Sequence, residues 1–246
     1  MMTPAALERV RVVLCETSHP GNIGATARAM KTMGLSRLVL VKPKHFPHAD
    51  AEAFASGALD VLREAVVCDS LDEALAGTVL AVASTSRHRD LTFEVVDCRA
   101  ACKRMVQDTS HGDVALVFGP ERTGLTIRDV NKCQLIAAIP ANPDYASLNL
   151  AQAVQVFAYE LRMTAGGAAS RPPRNSEGAT HDEVEGFYRH LEAVFHASGF
   201  LDPKEPKRLM QRIRRLFARS RLEKEEVNIL RGFLRAVRER MGGGNE

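Results

Sequence analysis

The residues best suited to chemistry lie in three segments rich in glycine, proline, asparagine and serine, and each segment follows a short apolar run. The segments are residues 19–28, 118–125 and 139–150. Short apolar runs of this kind are typical of buried parallel strands. Because ligands in open α/β sheets bind beyond the carboxyl ends of the strands, we expect the three segments to meet at one site.

The three segments lack the residues of the common nucleotide and covalent sites. The second has the glycine spacing of a Walker A loop, but Leu125 stands where a phosphate-binding lysine is required. No Gly-x-Gly-x-x-Gly follows the first apolar run, and no Ser-His-Asp or Cys-His set lies at a strand end. His45 and His48 could share a metal ion, but no third ligand is evident, which favours a surface loop pair. A P-loop hydrolase and a dinucleotide-binding enzyme are therefore disfavoured.

In the first segment, one arginine has two possible roles. Gly21 and Gly24 predict a tight turn, followed by a helix over residues 25–33 that a left-handed Gly34 closes. Arg28 would then lie one turn into this helix, near the end where the helix dipole favours anions. It is either a surface residue or directed at an anion in the cleft, and the spacing alone supports both equally.

The second segment places Glu121 and Arg122 between Gly119 and Gly124. Glycine permits positive φ and a close approach of the backbone to a ligand. The same pattern also fits a plain turn in which Thr126 is the N-cap of the next helix.

The third segment leads into a long helix, predicted over residues 147–163 from apolar residues at three- and four-residue spacing. Asn142, Ser147 and Asn149 surround its start. Ser147 could serve only as the N-cap, which is a common role for serine.

Between residues 10 and 163 the sequence alternates strand and helix signals. Strands are predicted over residues 10–14, 38–41, 79–83, 114–118 and 135–139. Ser70 and Glu73 predict a capping box at the start of a helix. Repeated β-α units indicate an α/β fold with a mainly parallel sheet that helices cover on both faces.

The composition changes after this region. Residues 165–181 contain almost no large apolar side chains and are interpreted as a linker between a domain of residues 1–164 and an extension of residues 182–246. The extension carries three amphipathic helix patterns. Its size of about 65 residues is typical of a small helical domain that docks on, or is supported by, another surface.

Positive charge is concentrated near the end of the chain. Residues 201–246 hold 13 Lys and Arg against 7 Asp and Glu, although the net charge of the whole chain is only +3. Four arginines in the second helix of the extension recur at i, i+4, i+7 and i+11 and therefore share one face. They are Arg208, Arg212, Arg215 and Arg219. Because the guanidinium fork suits phosphate, this face favours contact with RNA over a solvated surface or ion pairs with a partner.

Other features of the sequence favour the cytoplasm. No apolar run approaches the roughly 18 residues that span a bilayer, and the first residues lack the pattern of a signal peptide. The five cysteines are scattered, which suits a reducing compartment better than a disulfide framework.

Taken in order, the three segments resemble a known set of motifs. They read N-x-G-A-x-A-R at residues 22–28, F-G-x-E-x-x-G-L at 118–125 and S-L-N-L-A-Q-A-V at 147–154. This set resembles the TrmH-like branch of the SPOUT superfamily of RNA methyltransferases. Residues 13–22 and 228–232 are similar, more narrowly, to the tRNA (cytidine/uridine-2′-O)-methyltransferases of that branch.

This resemblance implies an α/β fold whose C-terminal part is tied in a trefoil knot, with the small helical domain appended. It also implies a homodimer whose active site is shared between subunits, with S-adenosylmethionine as cofactor. The residues expected to line the cofactor pocket are Ser84, Thr85, Ser86, Gly119, Ile139, Ala146, Ser147 and Leu148.

By the same resemblance, Arg28 is the main catalytic residue and contacts the RNA phosphate beside the target ribose. The residues expected to orient the site are Asn22, Glu121, Ser147 and Asn149. No metal is implied. Because an ordinary guanidinium keeps its proton at neutral pH, positioning and charge stabilisation by Arg28 are favoured over base catalysis.

The expected activity is 2′-O-methylation of a tRNA ribose, at cytidine or uridine 32 of the anticodon loop. One alternative is a related ribose methyltransferase that acts on another tRNA nucleotide or on rRNA. Another is a knotted RNA-binding protein that no longer transfers methyl groups. The presence of both Arg28 and Asn149 argues against the latter.

Overall fold

The computed structural model of the chain describes residues 4–85, 95–167, 177–201 and 208–242. The chain divides into two compact units, residues 1–173 and residues 174–246. Each unit has a hydrophobic core of its own.

The described part of the first unit is built on seven parallel strands. These are β1 (Val10–Cys15), β2 (Arg37–Val41), β3 (Val66–Cys68), β4 (Thr78–Ser84), β5 (Val95–Asp97), β6 (Asp113–Phe118) and β7 (Leu135–Ala138). Their order across the sheet is β3-β2-β1-β6-β4-β7-β5. The five strands predicted from the sequence are all present, with each end within one residue of its expected position, and the parallel sheet is confirmed.

The sequence did not indicate β3 and β5, which lie at the two edges of the sheet. Each is only three residues long, which is too short to show a periodicity. Val66, Val67 and Val95 are exposed on these edge strands, so neither forms a buried apolar run.

Helices cover both faces of the sheet, as expected. Those of the first unit are α1 (Ala5–Glu8), α2 (Pro20–Met33), α3 (Ala49–Ala55), α4 (Leu59–Arg63), α5 (Leu71–Leu75), α6 (Cys98–Asp108), α7 (Ile127–Val130) and α8 (Leu150–Gly167). Because successive side chains of β1 point to opposite faces, Val12 and Leu14 join the core under α2, α6 and α8, whereas Val13 joins the core under α5 and α7.

Helix α2 begins at Pro20, five residues before its predicted start. Proline is favoured at the first helical position because a backbone N–H has no partner within the helix there, so its absence in proline costs nothing. The prediction of a tight turn at Gly21 and Gly24 is therefore wrong, since both glycines are helical. A Cβ at Gly24 would lie 2.1 Å from the carbonyl oxygen of Ala51, so this glycine permits close packing of α2 on α3.

Three predicted caps have different outcomes. Gly34 closes α2 with a left-handed φ of 83°, as expected. Thr126 is the N-cap of α7 and forms a capping box with Asp129. Ser70 accepts from the backbone N–H of Glu73 at 3.2 Å. The Glu73 carboxylate, however, accepts from the N–H of Asp69 and not from Ser70, so the expected reciprocal pair at α5 is incomplete.

Strand β7 lies between β4 and β5, although it follows both of them in the chain. The chain therefore returns to fill a gap that it left in the sheet. The trefoil knot implied by the resemblance stays a prediction, because residues 86–94, between β4 and β5, lie outside the described residues.

In its described residues, the second unit contains three helices, α9 (His181–Ala197), α10 (Leu209–Ser220) and α11 (Lys224–Gly242). Its core consists of Phe187, Leu191 and Val194 packed with Val227 and Leu234, among others. The sequence predicts apolar stripes that include Leu209, Leu216 and Met241, but these three do not join the core. Leu216 is 51% exposed and Met241 is 40% exposed.

Parts of the predicted linker have regular structure. Helix α8 continues to Gly167. Near the other end of the segment, Gly178 forms an antiparallel bridge with Glu223, and the N–H of Ala179 donates to the carbonyl of Leu222. Residues 177–180 therefore belong to the helical unit.

Within the described residues, no helix is both long and apolar enough to cross a membrane. The five cysteines are free and buried. Burial raises the pKa of Cys15 to about 12, with smaller contributions from nearby Asp129 and Glu16, so this thiol is unreactive.

Candidate active site

The sheet brings the first two segments together. Strands β1 and β6 are neighbours, and Leu14 lies opposite Phe118 in their register. The loops that follow these two strands therefore start side by side at the carboxyl edge of the sheet. The third segment follows β7, which is two strands away on the far side of β4.

Glu121 joins the first two loops. Its Oε2 accepts from the backbone N–H of Ser18 at 3.0 Å and from the Ser18 hydroxyl at 2.8 Å. Its Oε1 accepts from the N–H of His19 at 3.2 Å and from Nδ2 of Asn22 at 2.9 Å. One carboxylate thus holds the start of α2 against the loop after β6.

These bonds decide the protonation state of Glu121. Partial burial, the largest single effect, acts to raise its pKa, but the hydrogen bonds from Asn22 and Ser18 together outweigh it. The pKa of Glu121 falls to about 2. The group is therefore ionised at neutral pH and accepts hydrogen bonds without donating any.

Asn149 connects the third loop to the same network. Its Nδ2 donates to Oδ1 of Asn22 at 2.9 Å, while Nδ2 of Asn22 donates to Glu121. The Oδ1 of Asn149 accepts from the N–H of Ala151 at 2.9 Å and so caps α8. The helix starts at Leu150, three residues later than predicted, and its cap is Asn149 and not Ser147.

A cavity of about 150 Å³ lies beside this network at the ends of β4, β6 and β7. Its lining includes Ser84, Thr85, Gly119, Ile139, Ala146, Ser147 and Leu148, which are seven of the eight residues expected to hold a cofactor. The eighth, Ser86, lies outside the described residues. The structure thus brings these seven residues together, and their binding of a cofactor stays a prediction.

The two glycines of the second loop serve the loop itself. A Cβ at Gly119 would lie 2.2 Å from the backbone N of Leu125, because the loop folds back on itself there. Gly124 has a φ of +65°, and its N–H donates to the carbonyl of Pro120 at 2.8 Å. The positive φ that glycine permits is thus confirmed at Gly124, and a close approach of these glycines to a ligand stays a prediction.

Sequence reasoning overlooked several residues of this site. Phe118, Pro120 and Ala153 also line the cavity. Ser18 was overlooked as well, although it makes two of the four hydrogen bonds to Glu121. The hydroxyl and backbone N–H of a serine just after a strand could have indicated an anion-binding turn, but nothing in the sequence identified the anion as Glu121.

Arg28 lies apart from the network within one chain. It is exposed on α2, six residues after Asn22. Six residues correspond to a rise of about 9 Å and a rotation of about 240° along a helix. Arg28 therefore projects from a different side of α2, and its guanidinium forms no hydrogen bond or ion pair with the residues that the structure describes.

His48 acts as the N-cap of α3. Its Nδ1 accepts from the N–H of Asp50 at 3.1 Å at the start of α3, and its ring lies 6.4 Å from that of His45. Among the described residues, no group of three or more potential ligands could hold a metal ion.

In the helical unit, the four arginines predicted to contact RNA differ from Arg214 in their ion pairing. Arg208, Arg212 and Arg219 are exposed, Arg215 is half-buried, and none of these four pairs with a carboxylate of the described residues. Arg214, by contrast, faces α9. Both of its terminal nitrogens donate to the Glu185 carboxylate, Nη2 at 2.9 Å. Its guanidinium carbon also lies 4.4 Å from the centre of the Tyr188 ring. Arg214 therefore holds the helices together, and the other four stay free for a ligand.

Comparison with known families identifies the chain. Residues 9–159 match the SpoU rRNA Methylase family. The chain belongs to this family. Residues 182–246 match a second family, the C-terminal domain of the tRNA methyltransferase TrmJ. The SpoU match covers the sheet and all three loops, and the second match covers the helical unit.

Individual SpoU-family proteins are similar over almost the whole chain. The tRNA (cytidine/uridine/adenosine-2′-O-)-methyltransferase TrmJ of Pseudomonas aeruginosa is 48% identical over 93% of this chain and 93% of its own. The tRNA (cytidine/uridine-2′-O-)-methyltransferase TrmJ of Klebsiella pneumoniae is 48% identical over 96% of this chain and 99% of its own.

Solved structures show the same SPOUT fold. The crystal structure of TrmJ from Z. mobilis ZM4 superposes with a TM-score of 0.81 at 33% identity and covers 93% of this chain and 98% of that one. The SpoU methyltransferase AviRb of Streptomyces viridochromogenes, solved with AdoMet, has a TM-score of 0.54 at 20% identity over 65% of this chain and 62% of its own. The latter likeness concerns the fold alone.

Proposed function

We propose that this chain transfers a methyl group from S-adenosylmethionine to the 2′-hydroxyl of a tRNA ribose, at cytidine or uridine 32 of the anticodon loop. The observation that supports this most is the cavity beside the Glu121–Asn22–Asn149 network, lined by the motif residues of a SpoU-family chain. The family match of the helical unit to the TrmJ C-terminal domain favours tRNA over rRNA as the substrate.

The cavity has a chemistry that suits the cofactor. Its lining combines hydroxyl groups, backbone groups and apolar side chains, which can bind a nucleoside, with the charged side chains of Glu121 and Arg122. The side chains concerned are Ser84, Thr85 and Ser147 together with Phe118, Ile139 and Leu148. S-adenosylmethionine, when bound, supplies an electrophilic methyl group on a positively charged sulfur. The ionised Glu121 in the same lining provides the negative charge that such a cation favours.

The residues of the chain position the ribose and stabilise charge in this proposal. The network fixes the relative positions of three loops, and positioning of this kind accounts for much of the rate of a direct displacement. Asn22, Glu121 and Asn149 act as positioning residues in this proposal, and the Ser147 hydroxyl at the cavity adds a donor and acceptor.

Arg28 contacts the phosphate next to the target ribose in this proposal. Because it lies on another side of α2 from the network of its own chain, it would complete the site of a second subunit. This arrangement agrees with a homodimer whose active sites are shared. An exposed guanidinium without a partner among the described residues is suited to binding a phosphate.

The helical unit holds tRNA through Arg208, Arg212, Arg215 and Arg219 in the same proposal. Their freedom from ion pairs with described residues supports it. The free, buried cysteines suit the cytoplasm, where tRNA is found.

One experiment tests the proposed reaction. The protein is incubated with labelled S-adenosylmethionine and a set of tRNA transcripts that carry each of the four bases at nucleotide 32, and the product is mapped by mass spectrometry. We expect 2′-O-methylation at nucleotide 32 with cytidine and uridine, and none with a 2′-deoxyribose there. Methylation at another tRNA nucleotide or on rRNA would identify a related ribose methyltransferase instead, and binding without transfer would indicate an inactive RNA-binding protein.

Arg28→Ala tests the catalytic assignment. We expect turnover to fall at least about 100-fold, because a group that stabilises transition-state charge is lost, while the affinity for S-adenosylmethionine stays within about twofold. Single-turnover methylation and calorimetric binding measure the two quantities. The matched control is Arg63→Ala, which removes another exposed arginine of the same unit. Turnover of the Arg28 variant equal to that of the control would refute the assignment.

A further inference from the structure

A second group of cations lies in the helical unit, where α9 packs on α11. It comprises Arg189 and His190 of α9 and Arg231, Arg235 and Arg238 of α11, and we call it the α9–α11 cluster. It shares no residue with the arginine face of α10. Neither the family motifs nor the proposed reaction assigns it a role.

The packing of the two helices holds this cluster together. The three arginines of α11 recur at i, i+4 and i+7, so they share one face of the helix. On α9, Gly186 lies close to the first of them, Arg231. A Cβ at Gly186 would lie 3.7 Å from Nη1 of Arg231 and 3.9 Å from Nη2 of Arg189. Guanidinium groups from both helices therefore converge on the same spot.

The guanidinium groups of the cluster are not paired with carboxylates of the described residues. None of its four guanidinium groups forms an ion pair or a side-chain hydrogen bond there, whereas Arg214 on the neighbouring helix is fully paired with Glu185. Burial first, and then the charges of Arg231, Arg238 and Arg235, lower the pKa of His190. The charges that act on His190 are thus those of three arginines of the cluster.

The composition of the cluster indicates which polyanion it fits. Guanidinium forks match the paired oxygens of a phosphate group. The exposed Phe233 and Ile229 of α11 lie on the opposite flank of that helix, so no exposed phenyl ring stands among these arginines on which a base could stack. The guanidinium groups of the cluster therefore suit the phosphate groups of an RNA backbone.

We propose that the α9–α11 cluster is a phosphate-binding site for the backbone of the tRNA substrate, separate from the arginine face of α10. This inference rests on the proposed function, because that function supplies the RNA. Contacts to phosphates position a nucleic acid without reading its sequence. The cluster thus adds affinity for tRNA in general, and the selection of a particular tRNA lies elsewhere.

The test uses the full-length protein with Arg231→Gln, Arg235→Gln and Arg238→Gln combined. Its affinity for several purified tRNAs is measured by fluorescence anisotropy over a series of salt concentrations. We expect the affinity to fall at least about tenfold at moderate salt, equally for each tRNA, and the slope of log affinity against log salt to become shallower by about two.

A matched pair of single variants separates this site from a general effect of net charge. Arg235→Glu and Arg240→Glu change the charge of the same helix equally, but Arg240 lies on the flank away from the cluster. We expect the first variant to bind tRNA several-fold more weakly than the second. A thermal unfolding curve shows whether the triple variant folds. If it does not fold, these single variants still test whether the cluster binds tRNA.

Two outcomes would overturn the inference. The triple variant could bind tRNA within about twofold of the wild type with an unchanged salt slope, or Arg240→Glu could weaken binding as much as Arg235→Glu. Methylation by the wild type, assayed in parallel, tests the proposed function separately. A wild type that binds tRNA through the cluster but methylates a different nucleotide would leave the inference standing, and one that binds no tRNA would overturn both.

Discussion

At the scale of single residues, Glu121 is the centre of the site. Each of its oxygens accepts two hydrogen bonds, and the donors come from a loop about 100 positions earlier in the chain. Only an ionised carboxylate can accept from four donors without donating in return. Through Asn22 the same group orients Asn149, so one side chain links all three loops.

Glu121→Gln should therefore destabilise the chain. The amide NH2 group of glutamine would face the donor of Ser18 or Asn22, so that donor would lose its acceptor. We expect this to lower the free energy of unfolding at neutral pH by on the order of 1–3 kcal/mol. Urea denaturation at pH 7 measures it, and Glu52→Gln, a change at an exposed carboxylate of α3, is the control. Equal stability of the two variants would contradict the role of Glu121.

The stability of the wild type should also depend on pH through this residue. The pKa of Glu121 is lowered from 4.5 to about 2 in the folded chain, so its contribution is complete above the unfolded value and disappears as the pH falls through the folded value. The difference in unfolding free energy between wild type and Glu121→Gln is expected to stay constant from pH 7 to about 4.5 and then to shrink. A difference that stays constant down to pH 3 would contradict the shift.

At the scale of elements, the position of α2 depends on its contact with α3. Helix α2 carries Asn22 on its first turn and packs so closely on α3 that residue 24 has to lack a side chain. The close approach fixes where the helix starts relative to the sheet, and hence where Asn22 lies relative to Glu121.

Gly24→Ala should lower stability even though alanine is the better helix former by about 1 kcal/mol. Its Cβ would clash with the backbone of Ala51, so the helices have to separate at a net cost on the order of 1–3 kcal/mol. Gly57→Ala is the matched control, because a Cβ there meets nothing within 4 Å. Urea denaturation compares the two, and a Gly24 variant as stable as the control would show that the clash relaxes freely.

At the scale of the whole molecule, the two units have separate cores. The sheet cores contain only residues up to Leu161, and the helical core contains only residues from Ala179 onwards. The sheet unit therefore carries the cavity and the network, while the helical unit carries both groups of free arginines.

Deletion of residues 170–246 should separate these roles. We expect the remaining chain to fold and to bind S-adenosylmethionine within about threefold of the full-length affinity, because no cavity residue is removed. Its affinity for tRNA should fall at least about tenfold, since the free arginines are lost. Calorimetry and filter binding measure these, and undiminished tRNA affinity in the truncated protein would contradict an RNA-binding role for the helical unit.

Much of the fold is predictable because the signals are local. Apolar runs at β1, β2, β4, β6 and β7 reflect burial on both faces of the sheet, and a parallel sheet with covering helices follows from their alternation with helical segments. The edge strands β3 and β5 give no such signal, since they are short and partly exposed. The predicted start of α2 was wrong because glycine is typical of turns. Gly24 instead permits close packing of α2 on α3, which the sequence of α2 alone does not indicate.

The sequence by itself determined the element types, the family motifs and the expectation that three loops share one edge of the sheet. Tertiary structure decided which side chains meet, namely Glu121 with Ser18 and Asn22, and Asn22 with Asn149. It also placed Arg28 away from its own network and made Asn149 the cap of α8. The physical reason is distance along the chain. Helix and strand preferences arise between near neighbours, whereas these bonds form only after β1 and β6 pair side by side with Leu14 opposite Phe118.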